Sequence, residues 1–258
     1  FWLQTSLAIA GTTGSEELKD TSSQSTTGEC FEGFSRAMFE FNYDLDRIIF
    51  QPVAKGYRAL PVPIRKGTGN AINNLRSLLT LSNNILQGEF GRAGNNAARF
   101  GINSTAGILG IFDPASKLGF EDQGKEDFGQ TMGVWGANSG CYFVLPIMGP
   151  TTVRDAAGLV GNFFLDPVYH VTHNSEIHNG LVGNSNYSEH NYYYYRGTGA
   201  VDFRAKNIES WDSLEKNSID LYASLKSLYL QNRSQKIANS TSAVETQDDS
   251  DWEEIDTN

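Results

Sequence analysis

Four histidines offer the first chemistry to weigh, and three of them, His170, His173 and His178, fall in the stretch HVTHNSEIH beside Glu176. A helical zinc site of the protease type sets two histidines four residues apart on one face, with the glutamate base between them. Here the first spacing is three and Glu176 lies outside the pair. The stretch therefore reads either as a site for metal-dependent hydrolysis or as a wet polar loop. Other catalytic arrangements are missing: there is no G-x-S-x-G nucleophile elbow, no Walker A sequence and no G-x-G-x-x-G turn. Asp127, Phe128 and Gly129 reproduce the magnesium tripeptide of protein kinases, but neither a glycine-rich loop nor an H-R-D loop precedes them, so the match is chance. No cofactor or bound metal is expected.

A second feature is the adjacent pair Arg154 and Asp155, which follows 26 uncharged residues from Phe128 to Val153. Five glycines and two prolines interrupt that stretch, together with Gln130, Thr131, Asn138 and Ser139. A membrane-spanning helix through it would leave backbone groups unsatisfied in lipid, and no window reaches 18 consecutive apolar residues. Trp135, Tyr142 and Phe143 nevertheless give it the composition of a membrane-interface belt.

The elements that must position these residues read as helices. Phe31, Phe34, Met38, Phe41, Leu45 and Ile48 alternate spacings of three and four and so share one stripe, which Pro52 is expected to close. That stripe faces either a protein core or the acyl region of a bilayer. A second helix carries Ile72, Leu75, Leu79 and Leu86 and stops at Gly88; a third runs from Phe90 to about Asn103. GILGIFDPASKLG reads as a close-packed turn region with an Asp113–Pro114 break. Cys141 to Ile147 is the best strand, limited by Pro146 to an edge or irregular one. Gly149–Pro150 ends the uncharged segment, and Thr151 or Thr152 caps a helix to Leu165, with Asp155 in the favourable first turn. Residues 170–199 read as a polar surface loop, and 201–235 as helix with a cap at Ser218 dividing it. The predicted fold is mostly α, a single domain of amphipathic helices with irregular glycine-rich loops and little or no β. Its expected limits are 31–235, between a leader over 1–30 and an acidic disordered tail over 236–258.

The chain's 258 residues suffice for a sizeable core, and 30 acids against 20 bases give a formal charge of −10. Seven of the acids lie in residues 245–258, so the tail supplies most of the excess. That balance argues against nucleic-acid binding, which needs a basic surface. Cys30 and Cys141 are too few for a disulfide framework and do not fix the redox compartment. FWLQTSLAIAG is either the end of a secretory apolar segment with an Ala8-Ile9-Ala10 cleavage site or an ordinary apolar start.

Four pieces, taken in order, resemble the MlaA/VacJ family of outer-membrane phospholipid-transport lipoproteins of Gram-negative bacteria. They are FEGFSRAMFEFNYDLDRIIFQPVAKGYRALPVPIRKG (31–67), LLTLSNNILQGEFGRAGNNAARFGINSTAGILGIFDPASKLG (78–119), EDFGQTMGVWGANSGCYFVLPIMGPTTVRDAAG (126–158) and DLYASLKSLYLQNR (220–233). The resemblance implies a ring of helices in the inner leaflet of the outer membrane, which passes phospholipid without enzymatic chemistry and preserves lipid asymmetry. It implies a porin trimer and a soluble periplasmic lipid carrier as partners. A purely structural porin-associated protein is the third reading. Family-motif positions are Phe41, Asn42, Gln87, Gly88, Asp113, Pro114, Asp127, Phe128, Gly129, Gly149, Pro150 and Asp155. Phe41 and Asn42 are expected to position the first helix where it bends around the ring. Trp135, Tyr142 and Phe143 are candidates for the lipid path or the membrane interface. Arg154 suits a headgroup phosphate or, in the competing reading, a local partner such as Asp155. Glu29 before Cys30 departs from a lipobox, so the anchoring cysteine lies before Phe1 or this member has none.

Overall fold

The computed structural model describes residues 28–174 and 190–238; residues 1–27 of the expected leader, His178 and residues 239–258 of the expected tail lie outside them. The first apolar stripe forms α1 (Glu32–Leu45), but Pro52 does not end the helical path. A π-helical turn over Asp46–Phe50 leads into α2 (Gln51–Arg58), with Pro52 in its first turn. A proline ring collides with the carbonyl four residues back in a regular α-helix, and the wider turn changes that register.

Next come α3 (Val62–Leu86) and α4 (Phe90–Thr105), packed as a hairpin that reverses at Gly88, where φ is +79°. Asp113 caps the short α5 (Pro114–Lys117) by accepting from Ser116 N. Asp127 caps α6 (Phe128–Val134) by accepting from Gln130 N, within a segment whose glycines read as loop. Thr152 caps α7 (Val153–Leu165) as expected, accepting from Asp155 N at 3.3 Å.

The stretch read as a long polar loop is instead largely helical where it is described. Asp166 caps α8 (Pro167–His173), and α9 spans His190–Lys206. Neither relies on an aliphatic stripe: Tyr169 packs edge to face on Phe163 and Tyr192, with ring centroids 5.4 and 5.3 Å apart, and Phe163 and Tyr192 meet at a tilt at 6.2 Å. Ser218 closes α10 (Ile208–Asn217) rather than opening a helix, and Asp220 is the cap of α11 (Leu221–Ile237).

The expected strand is one arm of a hairpin. β1 (Tyr142–Leu145) pairs antiparallel with β2 (Gly149–Thr152), Tyr142 opposite Thr152 and Leu145 opposite Gly149. Gly28–Cys30 lies along the other edge of β1: Cys30 N donates to Tyr142 O at 2.9 Å and Tyr142 N to Gly28 O at 2.8 Å. A disulfide joins Cys30 to Cys141, so the two cysteines have a structural use that their number alone did not suggest. Glu29 accepts from Tyr222 OH and, at 2.6 Å, from Lys226 Nζ, which ties this edge to α11. Beneath the hairpin sits an apolar cluster of Tyr142, Val144 and Tyr222 with Met38, Phe39, Tyr229 and Leu230; a second joins Ala54, Ala205 and Ile208.

Candidate functional site

Helix α3 turns Asn74, Ser77, Thr80, Asn83 and Asn84 inward at spacings of three and four or one, and α4 answers with Asn96, Arg99 and Asn103. Helical periodicity of this kind ordinarily marks an apolar stripe; here the buried stripe is polar. Among the described residues eighteen polar or charged residues are buried, against ten hydrophobic ones. The apolar side chains that would fill a water-soluble core lie outside instead. Phe34, Phe41, Ile48 and Ile49 on the α1–α2 path, Ile108, Leu109 and Phe112 after α4, and Val160, Phe163 and Phe164 on α7 are all exposed. So many exposed apolar groups mark a surface that meets something apolar. No described helix is long and apolar enough to cross a membrane.

Hydrogen bonds connect the polar stripe to its neighbours. Thr131 Oγ1 donates to Asn83 Oδ1 at 2.7 Å, and Gln87 Nε2 reaches Glu126 Oε2 at 3.2 Å and Thr131 Oγ1 at 3.1 Å. At the far end of α4, Arg99 Nη2 and Asn103 Nδ2 each donate to Asp113, both at 2.8 Å. Asp113 thus holds α4 and caps α5 with one carboxylate.

The second half of the site is organised by Arg233 on α11. Its Nη1 and Nη2 lie 2.5 and 3.0 Å from the Asp127 carboxylate, while Nη2 and Nε lie 2.7 and 3.1 Å from that of Asp155. Tyr229 OH donates to Asp155 Oδ2 at 2.6 Å, and Arg154 Nε to Asp155 Oδ1 at 3.1 Å. Helices α6 and α7 cross so closely that a Cβ on Gly158 would lie 2.5 Å from Gly129 N. Phe128 N donates to Asn162 Oδ1 at 2.9 Å, and its ring covers Gly161. The Asp127–Phe128–Gly129 tripeptide is thus a packing device in which a charge, a ring and an absent side chain each fix one contact. Burial pushes the Asp127 carboxyl up, but the hydrogen bonds and charge of Arg233 outweigh it and hold the pKa at about 2. At Asp155 burial is likewise outweighed, by Arg233, Tyr229 and Arg154, so its pKa is lowered.

The other anticipated positions separate into surface and interior. Trp135 is 56% exposed at the end of α6, and its indole N–H donates to Leu86 O at 3.0 Å. Phe143 is half-buried on β1. Tyr142, expected at an interface or path wall, is fully enclosed under the hairpin and is a core residue. Arg154 takes the local reading: it pairs with Asp155, and its side chain is 8% exposed. Asn42 ties α1 to the β-hairpin. Its Nδ2 donates to Leu145 O at 2.8 Å and its Oδ1 accepts from Ile147 N at 2.6 Å, so it clasps the β-hairpin turn. Gly149 and Pro150 lie in β2 beside that turn. No local pattern marks Arg233 or Arg99, whereas the spacing of Asn, Ser and Thr along α3 does mark one helix face as polar.

The two described histidines of the candidate set, His170 and His173, make local contacts. His170 Nε2 is 2.9 Å from Phe164 O, and His173 Nδ1 is 3.0 Å from Tyr169 O with its ring stacked on Tyr169 at 4.1 Å. Among the described residues no three His, Cys, Asp or Glu side chains gather where they could hold a metal, so the hydrolase alternative has no described site to act from.

Comparison with known proteins adds the following. The MlaA lipoprotein family matches residues 28–236. The intermembrane phospholipid transport system lipoprotein of Haemophilus influenzae is 32% identical over 236 residues, 90% of this chain and 88% of that protein. The Escherichia coli protein of the same description is 36% identical over 137 residues, 52% of this chain and 55% of that one. An uncharacterised Rickettsia prowazekii protein is 39% identical over 146 residues, so this chain spans 58% of its length. A structure solved in work on the structural basis for maintenance of bacterial outer membrane lipid asymmetry superposes with a TM-score of 0.65 at 28% identity, covering 82% of this chain and 99% of that one.

Proposed function

The chain belongs to the MlaA lipoprotein family, and from that premise we propose that it moves phospholipid non-enzymatically at the outer membrane and so maintains lipid asymmetry. In this reading the protein lies in the inner leaflet and takes phospholipid out of the outer leaflet. It sits against a porin trimer and hands its lipid to a soluble periplasmic carrier. The observation that carries the proposal is the inversion of polarity. Exposed Phe, Ile and Leu side chains match acyl chains, and the buried Asn, Ser, Thr and Arg stripe of α3 and α4 matches a headgroup. A protein confined to one leaflet needs an apolar girdle but no helix of roughly 20 apolar residues. Trp135 and Phe143 are assigned to the interface or path wall, and Arg154 acts through Asp155 rather than on lipid directly.

The test is made in cells lacking the protein. They should accumulate phospholipid in the outer leaflet and become detergent-sensitive, and re-expression should restore both. Unchanged asymmetry would sink the proposal and leave a structural companion of the porin as the better reading.

A further inference from the structure

We infer that the loop 106–112, between α4 and α5, is a preformed wedge that enters the acyl region of the leaflet. The inference rests on the lipid-passage reading and adds to it the element that fixes how deep the protein sits. No charged residue occurs from Phe100 to Phe112, and the loop itself, AGILGIF, has no polar side chain. Ile108, Leu109 and Phe112 are 60%, 76% and 59% exposed, while Gly107 and Gly110 are buried.

Exposed apolar side chains fit a protein partner as well as lipid, and the backbone separates the two. Water or the polar rim of an interface can satisfy the N–H groups of a loop. Hydrocarbon cannot, and that is what keeps irregular backbone out of it. In this loop every N–H has an internal acceptor. Ala106 and Gly107 donate to Ile102 O at 2.9 and 3.2 Å, Ile108 to Thr105 O at 3.4 Å and Leu109 to Ser104 O at 3.0 Å. Gly110 donates to Asn103 O at 2.8 Å, Ile111 to Ile108 O at 3.2 Å and Phe112 to Gly107 O at 2.9 Å. Asn70 on α3 donates from Nδ2 to Ile111 O at 3.1 Å. Arg99 and Asp113, the charges that flank the loop in sequence, pair with each other at its base.

The fold accepts strain to keep this shape. φ is +53° at Ile108 and +56° at Leu109, ahead of Gly110 at +87°. Left-handed backbone disfavours a Cβ, and a β-branched side chain most of all, so asparagine or glycine would fit both places more easily. Isoleucine and leucine there serve the position through their apolar surface. Packing fixes the loop: a Cβ on Gly107 would lie 2.4 Å from Phe112 O, and one on Gly110 would lie 2.5 Å from Asn74 Cβ. The apolar side chains are thus presented in place, and entering lipid orders little further.

The experiment uses the purified full chain bound to vesicles of phosphatidylethanolamine and phosphatidylglycerol. Cys30 and Cys141 are joined, so Leu109→Cys supplies a single thiol for a nitroxide label, as do Phe164→Cys on α7 and Lys216→Cys on α10 in separate chains. Collisions with oxygen, which concentrates in hydrocarbon, and with a water-soluble nickel chelate report where each label sits. The Leu109→Cys label should meet oxygen readily and nickel far less than the Lys216→Cys label does. Nickel reaching the Leu109→Cys label as freely as the Lys216→Cys label, with the Phe164→Cys label shielded, overturns the wedge and leaves lipid passage standing. A Leu109→Cys label shielded from both colliders overturns it in favour of a protein contact. Leu109→Cys and Phe164→Cys labels both open to nickel, or no binding to the vesicles at all, overturn the two readings together. Leu109→Asn gives a second readout, because asparagine suits the left-handed backbone. It should melt no lower than wild type and bind the vesicles about tenfold more weakly, and unchanged affinity overturns the wedge.

Discussion

Replacing Arg233 by methionine removes the group that bridges the Asp127 cap of α6 and Asp155 in the first turn of α7. The Asp155 side chain is 6% exposed and that of Arg233 12%, so the pair lies in a weakly screened setting. Taking one partner from a buried ion pair costs about 3–5 kcal/mol. Asp155 keeps Tyr229 and Arg154, and Asp127 is partly open to water, which places the expected loss near the lower end, about 3 kcal/mol. For a chain of this size that corresponds to a fall in Tm of about 6–12 °C. The pH dependence gives an independent check. Asp127 has a pKa of about 2 in the fold against an ordinary 3.8, so its contribution is full above pH 4 and is lost as pH falls towards 2. The total is about 2 kcal/mol, of which about 1 kcal/mol is gone at pH 3. Arg233→Met removes the cause of the depression, so the gap between variant and wild type should narrow on acidification. Arg233→Lys, with charge but no fork, should fall between. Thermal unfolding followed by circular dichroism in detergent at pH 7 and pH 3 measures both effects. A variant melting within about 2 °C of wild type at pH 7, or a gap of equal size at both pH values, would refute the reasoning.

Four further perturbations test other parts of the structure. Gly158→Ala drives a Cβ against the Gly129 backbone and should cost about 1–3 kcal/mol; an unchanged melting temperature would count against the close helix crossing. Replacing Cys30 and Cys141 by serine should cost about 2–4 kcal/mol, and wild-type protein treated with reductant should melt like the variant. Asn42→Ala removes both side-chain bonds to the hairpin turn and should lose about 1–3 kcal/mol; amide exchange at Ile147 reads the effect, and unchanged protection there would contradict the clasp. Phe164, 73% exposed on α7, should bury itself in lipid, so Phe164→Glu should weaken binding to phospholipid vesicles by about tenfold or more; equal partitioning would remove Phe164 from the lipid-facing surface.

What the sequence disclosed followed from which forces act locally. The cap at Thr152 and the stop at Gly88 were legible because a cap needs only its own few residues, whereas the Asp113–Pro114 pair, read as a break, opens a short helix that Asp113 caps. Helix α6 was not, because Gly129 and Gly133 read as breakers until α7 and α11 supply what packs on them. The first part of α9, before Val201, was hidden for the opposite reason: its tyrosines hold it through ring contacts across elements, with no aliphatic period to detect. The inward polar stripe was written in NNLRSLLTLSNN, but a rule that expects apolar residues inside assigns the same helix its wrong face. Arg233 makes its two contacts 78 and 106 residues back along the chain, a separation that no local pattern reveals. Tyr142 looked like an interface residue by type, and only the strand beside it and the helix beneath it enclose it.

Helix α11 also sets an order of events in folding. Glu29 at the start of the described chain waits for Lys226, 197 residues later, and Cys30 waits for Cys141, 111 residues later. Asp127 and Asp155, at the starts of α6 and α7, remain unbridged until Arg233 arrives. Emerging from a ribosome or a secretion pore, the chain can form its early helices and close the α3–α4 hairpin, but α1, the β-hairpin and the starts of α6 and α7 receive their α11 contacts only when nearly all of it is through. Its hairpin and α1 therefore pass a long interval with apolar surface uncovered and a thiol unpaired, and that interval, rather than the finished fold, is when it most needs a chaperone and an oxidant.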